Sequence, residues 1–186
     1  MPGFNTKISF DDLYNWGKIV RLLEAEKPWW KPGTKLGYHT LTYGYLLGEV
    51  LRRVTGITLG QFLHEEIAAP LGIDFFIGLP EEEERRVAEI VPARQDFTPL
   101  QLALVKILFP AAMKIAVNPV LDSKDFNSQA CHAAEIPAGN GMGNARSVAQ
   151  LGSILAGWLS LTRVAGLWPH AASGRQARNK TLTIHP

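Results

Sequence analysis

Between Leu41 and Gly72 the sequence marks where its helices begin and end. Leu41 to Thr55 reads as a helix whose apolar positions are Leu46, Leu47, Val50, Leu51 and Val54. Gly56 follows, and glycine takes the left-handed conformation that ends a helix at no steric cost. Thr58 and Gln61 then stand three residues apart, the spacing of a capping box, so a second helix opens at once. That helix is expected to end before Pro70-Leu71-Gly72. The result is a compact helix pair.

A first helix is expected from about Phe10 to Glu26, capped by Ser9 with Asp12 three residues on. Leu13, Trp16, Val20 and Leu23 share one face, which is therefore buried. Pro28 helps to stop the helix, and Trp29, Trp30 and the turn Lys31-Pro32-Gly33-Thr34 follow. Asp74 to Leu79 is short, apolar and aromatic and reads as a strand. Pro80 and Glu81 to Glu84 suit a short helix start, since carboxylates favour the N-terminal end of the dipole. Val87 to Val91 reads as a strand or a loop. Thr98 to Val117 is apolar on nearly all sides, with Gln101, Lys106 and Lys114 as its polar positions. Pro110 lacks an amide hydrogen and crowds the carbonyl of Lys106, so a kink is expected there. Ala145 to Ala156 is the last clear helix, with Asn144 as its cap and Val148, Leu151 and Leu155 inside. The class is mixed α/β (α+β), mostly helical with a few strands.

Composition narrows the function classes. One cysteine in 186 residues excludes a disulfide framework within the chain. No charge-free apolar run approaches the ~18 residues that a membrane span needs. The net charge is only +2. No acid follows Glu135, while Arg146, Arg163, Arg175, Arg178 and Lys180 do. Residues 158–186 are therefore expected to be a basic, poorly packed tail. Their polar end, Ala172 to Lys180, carries no repeat and no interleaved aromatics, so no nucleic-acid partner is expected. His39, His64, His132, His170 and His185 are scattered, and Cys131 and His132 diverge on a helix, so no metal site and no cofactor are expected. Gly139-Asn140-Gly141-Met142-Gly143-Asn144 lacks the spacing and the lysine of a phosphate loop.

The stretch Lys31 to Leu79, KPGTKLGYHTLTYGYLLGEVLRRVTGITLGQFLHEEIAAPLGIDFFIGL, holds a P-G-T turn, Gly37-Tyr38, a helix ending V-T-G, a capped helix and P-L-G, in that order. This order resembles the serine β-lactamase-related family: class C-like β-lactamases, penicillin-binding proteins and esterases. The resemblance covers about residues 10 to 157. It implies a partial β-lactamase/transpeptidase-like fold and a domain over 1–157. It also implies acyl transfer through a seryl ester, with a small acyl or ester compound as substrate.

In that family a tyrosine of a Y-x-N-type motif faces a serine carried by S-x-x-K. The resemblance puts that tyrosine at Tyr38, with Thr40 where asparagine is frequent, as in esterase-like members. Taken alone, Tyr38 reads as a half-buried aromatic ahead of a helix. In the family role it relays a proton between the serine and the leaving group. The resemblance also makes the glycine-rich turn a wall of the site, with Gly141 against substrate.

None of Ser9, Ser123, Ser128, Ser147, Ser153, Ser160 and Ser173 has lysine three residues on, and Ser160 has Arg163 there. No K-T-G or H-x-G motif is present either. The chain is therefore expected to hold the middle of the fold. It is completed by a serine supplied upstream, or else survives as a non-catalytic binding or regulatory module. The resembling esterases carry variable insertions over the site where Thr98 to Val117 lies, so this segment is expected to form a kinked cap beside Tyr38.

Overall fold

The computed structural model describes residues 3–91 and 98–155. The chain divides into two compact units, Met1–Asn144 and Ala145–Pro186. The second is described only over one helix, and the expected basic tail lies outside the described residues.

The first unit opens as expected and then departs from it. The Ser9 and Asp12 capping box forms, with Ser9 N donating to Asp12 Oδ2 at 2.9 Å and Asp12 N to Ser9 Oγ at 3.3 Å. It starts only a 3₁₀ turn, Asp11–Tyr14. Asn15 then leaves the helical region (φ −94°, ψ 88°), and its side chain accepts from Lys18 N, recapping helix α1, Trp16–Ala25. The single helix is thus split, because Asn15 offers a second cap. Leu13, Val20 and Leu23 are buried as read, and Ile19 joins them.

Helix α2 is Thr42–Thr55, ended by Gly56 at φ 81°. Helix α3, Leu59–Leu63, has the full Thr58–Gln61 capping box. A π-helical turn, His64–Ala68, carries it into α4, Ala69–Leu71, where Gly72 at φ 62° ends it. Pro70 does not stop the helix at once: it follows the π-helical turn, in which Ala69 N bonds to the His64 carbonyl, and the helix ends one residue later at Leu71.

The expected strand shrinks to β1, Phe75–Phe76, since Gly78 turns the chain at φ 76°. It pairs antiparallel with β2, Met142–Gly143, matching Phe75 with Gly143 and Phe76 with Met142. Glu81–Arg86 is a 3₁₀ helix with all four glutamates in its first turn, and Val87 to Val91 is loop. Helices α5, Pro99–Leu108, and α6, Pro110–Ala116, meet at Phe109, the expected break. Short helices α7, Ser123–Phe126, and α8, Gln129–Ala133, complete the unit. The fold is mostly helical, with one small antiparallel sheet among the described residues. Helix α9, Ala145–Leu155, belongs to the second unit.

The core gathers Phe4, Leu13, Ile19, Tyr45, Cys131 and Ile136 with their neighbours. Phe10 stacks edge-on against Tyr14 and Phe126, with centroids 5.8 and 5.1 Å away. Helix α2 enters the core by an unexpected face. Thr42, Gly44, Tyr45 and Gly48 are buried, while Leu46, Leu47, Val50 and Val54 are exposed. The reason is steric. A Cβ on Gly44 would sit 2.7 Å from Ala138 N, and one on Gly48 would sit 2.6 Å from the Trp16 ring. Only the glycine face lets the helix come this close.

One polar side chain closes the turn after α8. Asn140 is buried and donates through Nδ2 to the carbonyls of Cys131 (2.7 Å) and Ala134 (2.6 Å). Its Oδ1 accepts from Ile136 N at 3.0 Å.

Candidate functional site

Tyr38, His39 and Thr40 lie just ahead of α2. The His39 Nδ1 stands 3.1 Å from the Thr42 hydroxyl, in the buried first turn of that helix. Burial holds the His39 imidazole below its ordinary pKa, so its neutral form faces Thr42. Tyr38 is 81% exposed rather than half-buried. A side chain ahead of a helix and free of the core is available to a ligand.

Tyr38 and Thr40 share a cavity of about 310 Å³. Its other walls are largely apolar: Phe4, Leu41, Ile115, Ala116, Pro119 and Leu121. Asn118 also lines it, but its amide is committed to the chain start. Its Oδ1 accepts from Ile8 N at 2.9 Å, and its Nδ2 donates to the carbonyls of Phe4 (3.1 Å) and Thr6 (2.9 Å). The hydroxyls of Tyr38 and Thr40 have no hydrogen-bond partner among the described residues. No lysine or arginine is among the lining residues. The cavity therefore suits an apolar group whose polar end meets two hydroxyls at the rim. The apolar 98–117 segment does reach it, through Ile115 and Ala116 at the end of α6. No residue from Leu104 to Met113 lines it.

Gly141 lies elsewhere. It lines a second cavity, of about 460 Å³, that has no lining residue in common with the first. The glycine-rich turn walls this second cavity and not the one at Tyr38, and its glycines have a local reason. A Cβ on Gly141 or on Gly143 would sit 2.6 Å from the Phe75 ring. Glycine lets that ring lie flat against the backbone beside the β1–β2 pair. The cavity also holds His132, a group the sequence reading passed over. Its Nδ1 is 2.8 Å from Glu84 Oε1 and its Nε2 is 2.9 Å from the Phe126 carbonyl. Arg86 bridges Glu83 and Asp74 on the same wall. Glu84 and His132 are 48 residues apart in sequence, so no local pattern announces the pair. Cys131 points the other way, into the core. No cluster of three or more metal-ligating side chains exists among the described residues.

The family model described as Beta-lactamase matches residues 1–181. The chain is 33% identical over 141 residues to the protein named Esterase/beta-lactamase LipL of Mycobacterium tuberculosis, a span that is 64% of this chain and 30% of that protein. Among solved structures it is similar to a family VIII carboxylesterase, with 36% identity and a TM-score of 0.70 over 88% of this chain and 44% of that one. It is also similar to a penicillin-binding protein homologue from Caulobacter crescentus, with 33% identity and a TM-score of 0.66 over 98% of this chain and 48% of the other. The match to EstA from Arthrobacter nitroguajacolicus Rue61a has 30% identity and a TM-score of 0.66 over 80% and 39% of the two chains. The chain thus spans less than half the length of each of these relatives.

Proposed function

The chain belongs to the beta-lactamase family, and from that premise we propose that it forms part of an esterase-like serine hydrolase acting on a small ester. The observation that carries the reading is the pairing of Tyr38 with Thr40 at the rim of an apolar-walled cavity. Carboxylesterase and esterase names among the relatives support it.

In this reading a serine hydroxyl attacks the ester carbonyl. Its proton passes to the Tyr38 oxygen and on to the leaving alcohol, and water then releases the acid from the seryl ester. Thr40 faces the ester's polar end, and Leu41, Ile115 and Leu121 receive its hydrocarbon. The serine, with its S-x-x-K lysine, comes from outside these 186 residues, because no serine within them has lysine three residues on. Gly141 is a substrate contact only if the ester reaches the second cavity.

The test supplies the missing part. Fusing the S-x-x-K segment of a family VIII carboxylesterase ahead of the chain should give turnover of a chromogenic ester. Tyr38→Phe should then cut kcat/KM roughly 10²- to 10⁴-fold. A fusion whose turnover ignores Tyr38→Phe removes the relay. Turnover by the unfused chain removes the external serine. The same absence of S-x-x-K favours a second reading, a non-catalytic binding module. That module would bind an ester analogue yet stay inert in the fusion.

A further inference from the structure

Helix α2 packs by one side and is apolar on the other. Thr42, Gly44, Tyr45 and Gly48 are buried against the rest of the unit. On the opposite side Tyr43, Leu46, Leu47, Val50 and Val54 stand at i, i+3, i+4, i+7 and i+11, a single helical face. They are between 39 and 80% exposed. A helix that commits one side to a core and keeps the other apolar belongs to the interior of a larger body. The stripe runs ~16 Å along the helix axis, enough for a second helix to lie on it. No charged residue falls within it, and Arg53 at its margin is held by Glu24 and Glu49. The uncovered apolar surface continues toward the candidate site, since Leu36 and Tyr38, just ahead of α2, are exposed too.

What the site lacks identifies the cover. The solved relatives are more than twice as long as the part they share with this chain, so more than half of each has no counterpart here. No serine in the chain has lysine three residues on. A serine and a lysine at that spacing are neighbours on one helical face, so the missing pair arrives on a helix. That helix has to reach Tyr38, and the uncovered stripe of α2 begins a few residues beyond Tyr38.

We propose that the exposed face of α2 is the seat of the serine-bearing helix, contributed by the remaining half of a β-lactamase-related domain. The identity of that helix rests on the hydrolase reading above. A second copy of this chain would bring another Tyr38 and no serine–lysine pair, and would leave the site unfinished.

The test uses the fusion that carries the S-x-x-K segment of a family VIII carboxylesterase ahead of the full chain, with any cysteine of that segment replaced by alanine. Cysteine is placed at Leu47, Val50, Val54 or Arg52, one at a time, and its labelling by an aromatic disulfide reagent is timed with and without the fused segment. Leu47→Cys and Val50→Cys should react quickly in the unfused chain and roughly tenfold more slowly in the fusion. Arg52→Cys, exposed on the other side of the helix, should react at the same rate in both. Val50→Asp should abolish the protection of Val54→Cys while leaving the far-ultraviolet circular dichroism spectrum of the unfused chain unchanged. Equal labelling of Val50→Cys in the two proteins overturns the proposal, and so does protection that extends to Arg52→Cys. Protection already present in the unfused chain and lost on dilution assigns the face to a second copy and overturns it too. Protection without ester turnover upholds the docking face and sinks the hydrolase reading. Turnover that depends on Tyr38 with the stripe unprotected does the reverse.

Discussion

The Tyr45 hydroxyl donates to the Leu13 carbonyl at 2.7 Å, tying α2 to the 3₁₀ turn inside the core. Tyr45 has no exposed surface, and Leu13 is buried with it. Burial pushes the phenol well above its ordinary pKa, which keeps it a donor. Tyr45→Phe retains the ring against Trp16, 5.0 Å away between centroids, and leaves a buried carbonyl unpaired. The expected loss is ~1–3 kcal/mol, read as a lower urea midpoint at unchanged slope. An unchanged midpoint would mean that the bond contributes nothing.

Gly60 and Gly152 should respond to alanine with opposite signs. Both are in helices, where alanine is favoured over glycine by ~1 kcal/mol. At Gly152 in α9 nothing lies within 4 Å of a new Cβ, so that gain should appear as a higher Tm or urea midpoint for its unit. At Gly60 the Cβ would meet the Ile77 carbonyl at 2.2 Å and Glu135 Oε1 at 2.7 Å. The carbonyl is backbone and cannot swing aside. Glu135 Oε1 also accepts from the Thr58 hydroxyl at 2.5 Å, so moving it loosens the cap of α3. Overpacking of ~1–3 kcal/mol should outweigh the helix gain. A stabilised Gly60→Ala protein would show that this contact relaxes freely.

Acid should weaken the fold through depressed carboxylates. The Lys18 ammonium lowers Asp12, the Trp16 indole N–H lowers Glu49, and the Lys124 amide lowers Asp122. A folded pKa below the unfolded one gives stability that is complete above the unfolded value. It is lost as pH falls through the folded value. The decline should therefore begin near pH ~4, where free carboxylates titrate, and continue below. Urea midpoints measured from neutral pH to pH ~3 read it, and Glu49→Gln should flatten the curve. A Glu49→Gln curve parallel to the parent's would clear Glu49 of the effect.

Cys131 should be silent to thiol reagents in the native state. It has no exposed surface, and burial pushes its thiol up to about 11. An aromatic disulfide reagent should label it only as the chain opens, at a rate that rises with urea. Fast labelling of native protein would mean that the α8 region opens on its own.

What the sequence revealed was mostly local. Gly56, the Thr58–Gln61 box and the break before Pro110 rest on chemistry contained in a few neighbouring residues, and each is in its expected place. The buried face of α2 was hidden. Counting apolar residues favours Leu46, Leu47, Val50 and Val54, whereas the packing is decided by how near Trp16 and Ala138 come to Gly48 and Gly44. The β1–β2 pair was hidden for a similar reason, since a glycine-rich stretch reads as a turn until Phe75 lies on it. At the candidate site, Tyr38 was picked out by the order of motifs around it, not by its own neighbours. Its cavity depends on Ile115 and Leu121, more than seventy residues away in the sequence.

The three hydrogen bonds of Asn140 have a chemical consequence over the lifetime of a molecule. Asparagine followed by glycine is the pair whose backbone nitrogen most readily attacks the side-chain amide, releasing ammonia and leaving aspartate or isoaspartate. Here the amide is buried and held at both ends, so the folded chain withholds it from that attack. Each unfolding exposes it. Once converted, the side chain has no N–H to give the Cys131 and Ala134 carbonyls and brings a negative charge toward them. Damage of this kind would accumulate with time spent unfolded rather than with age alone, and a chain that had suffered it could not return to the same turn.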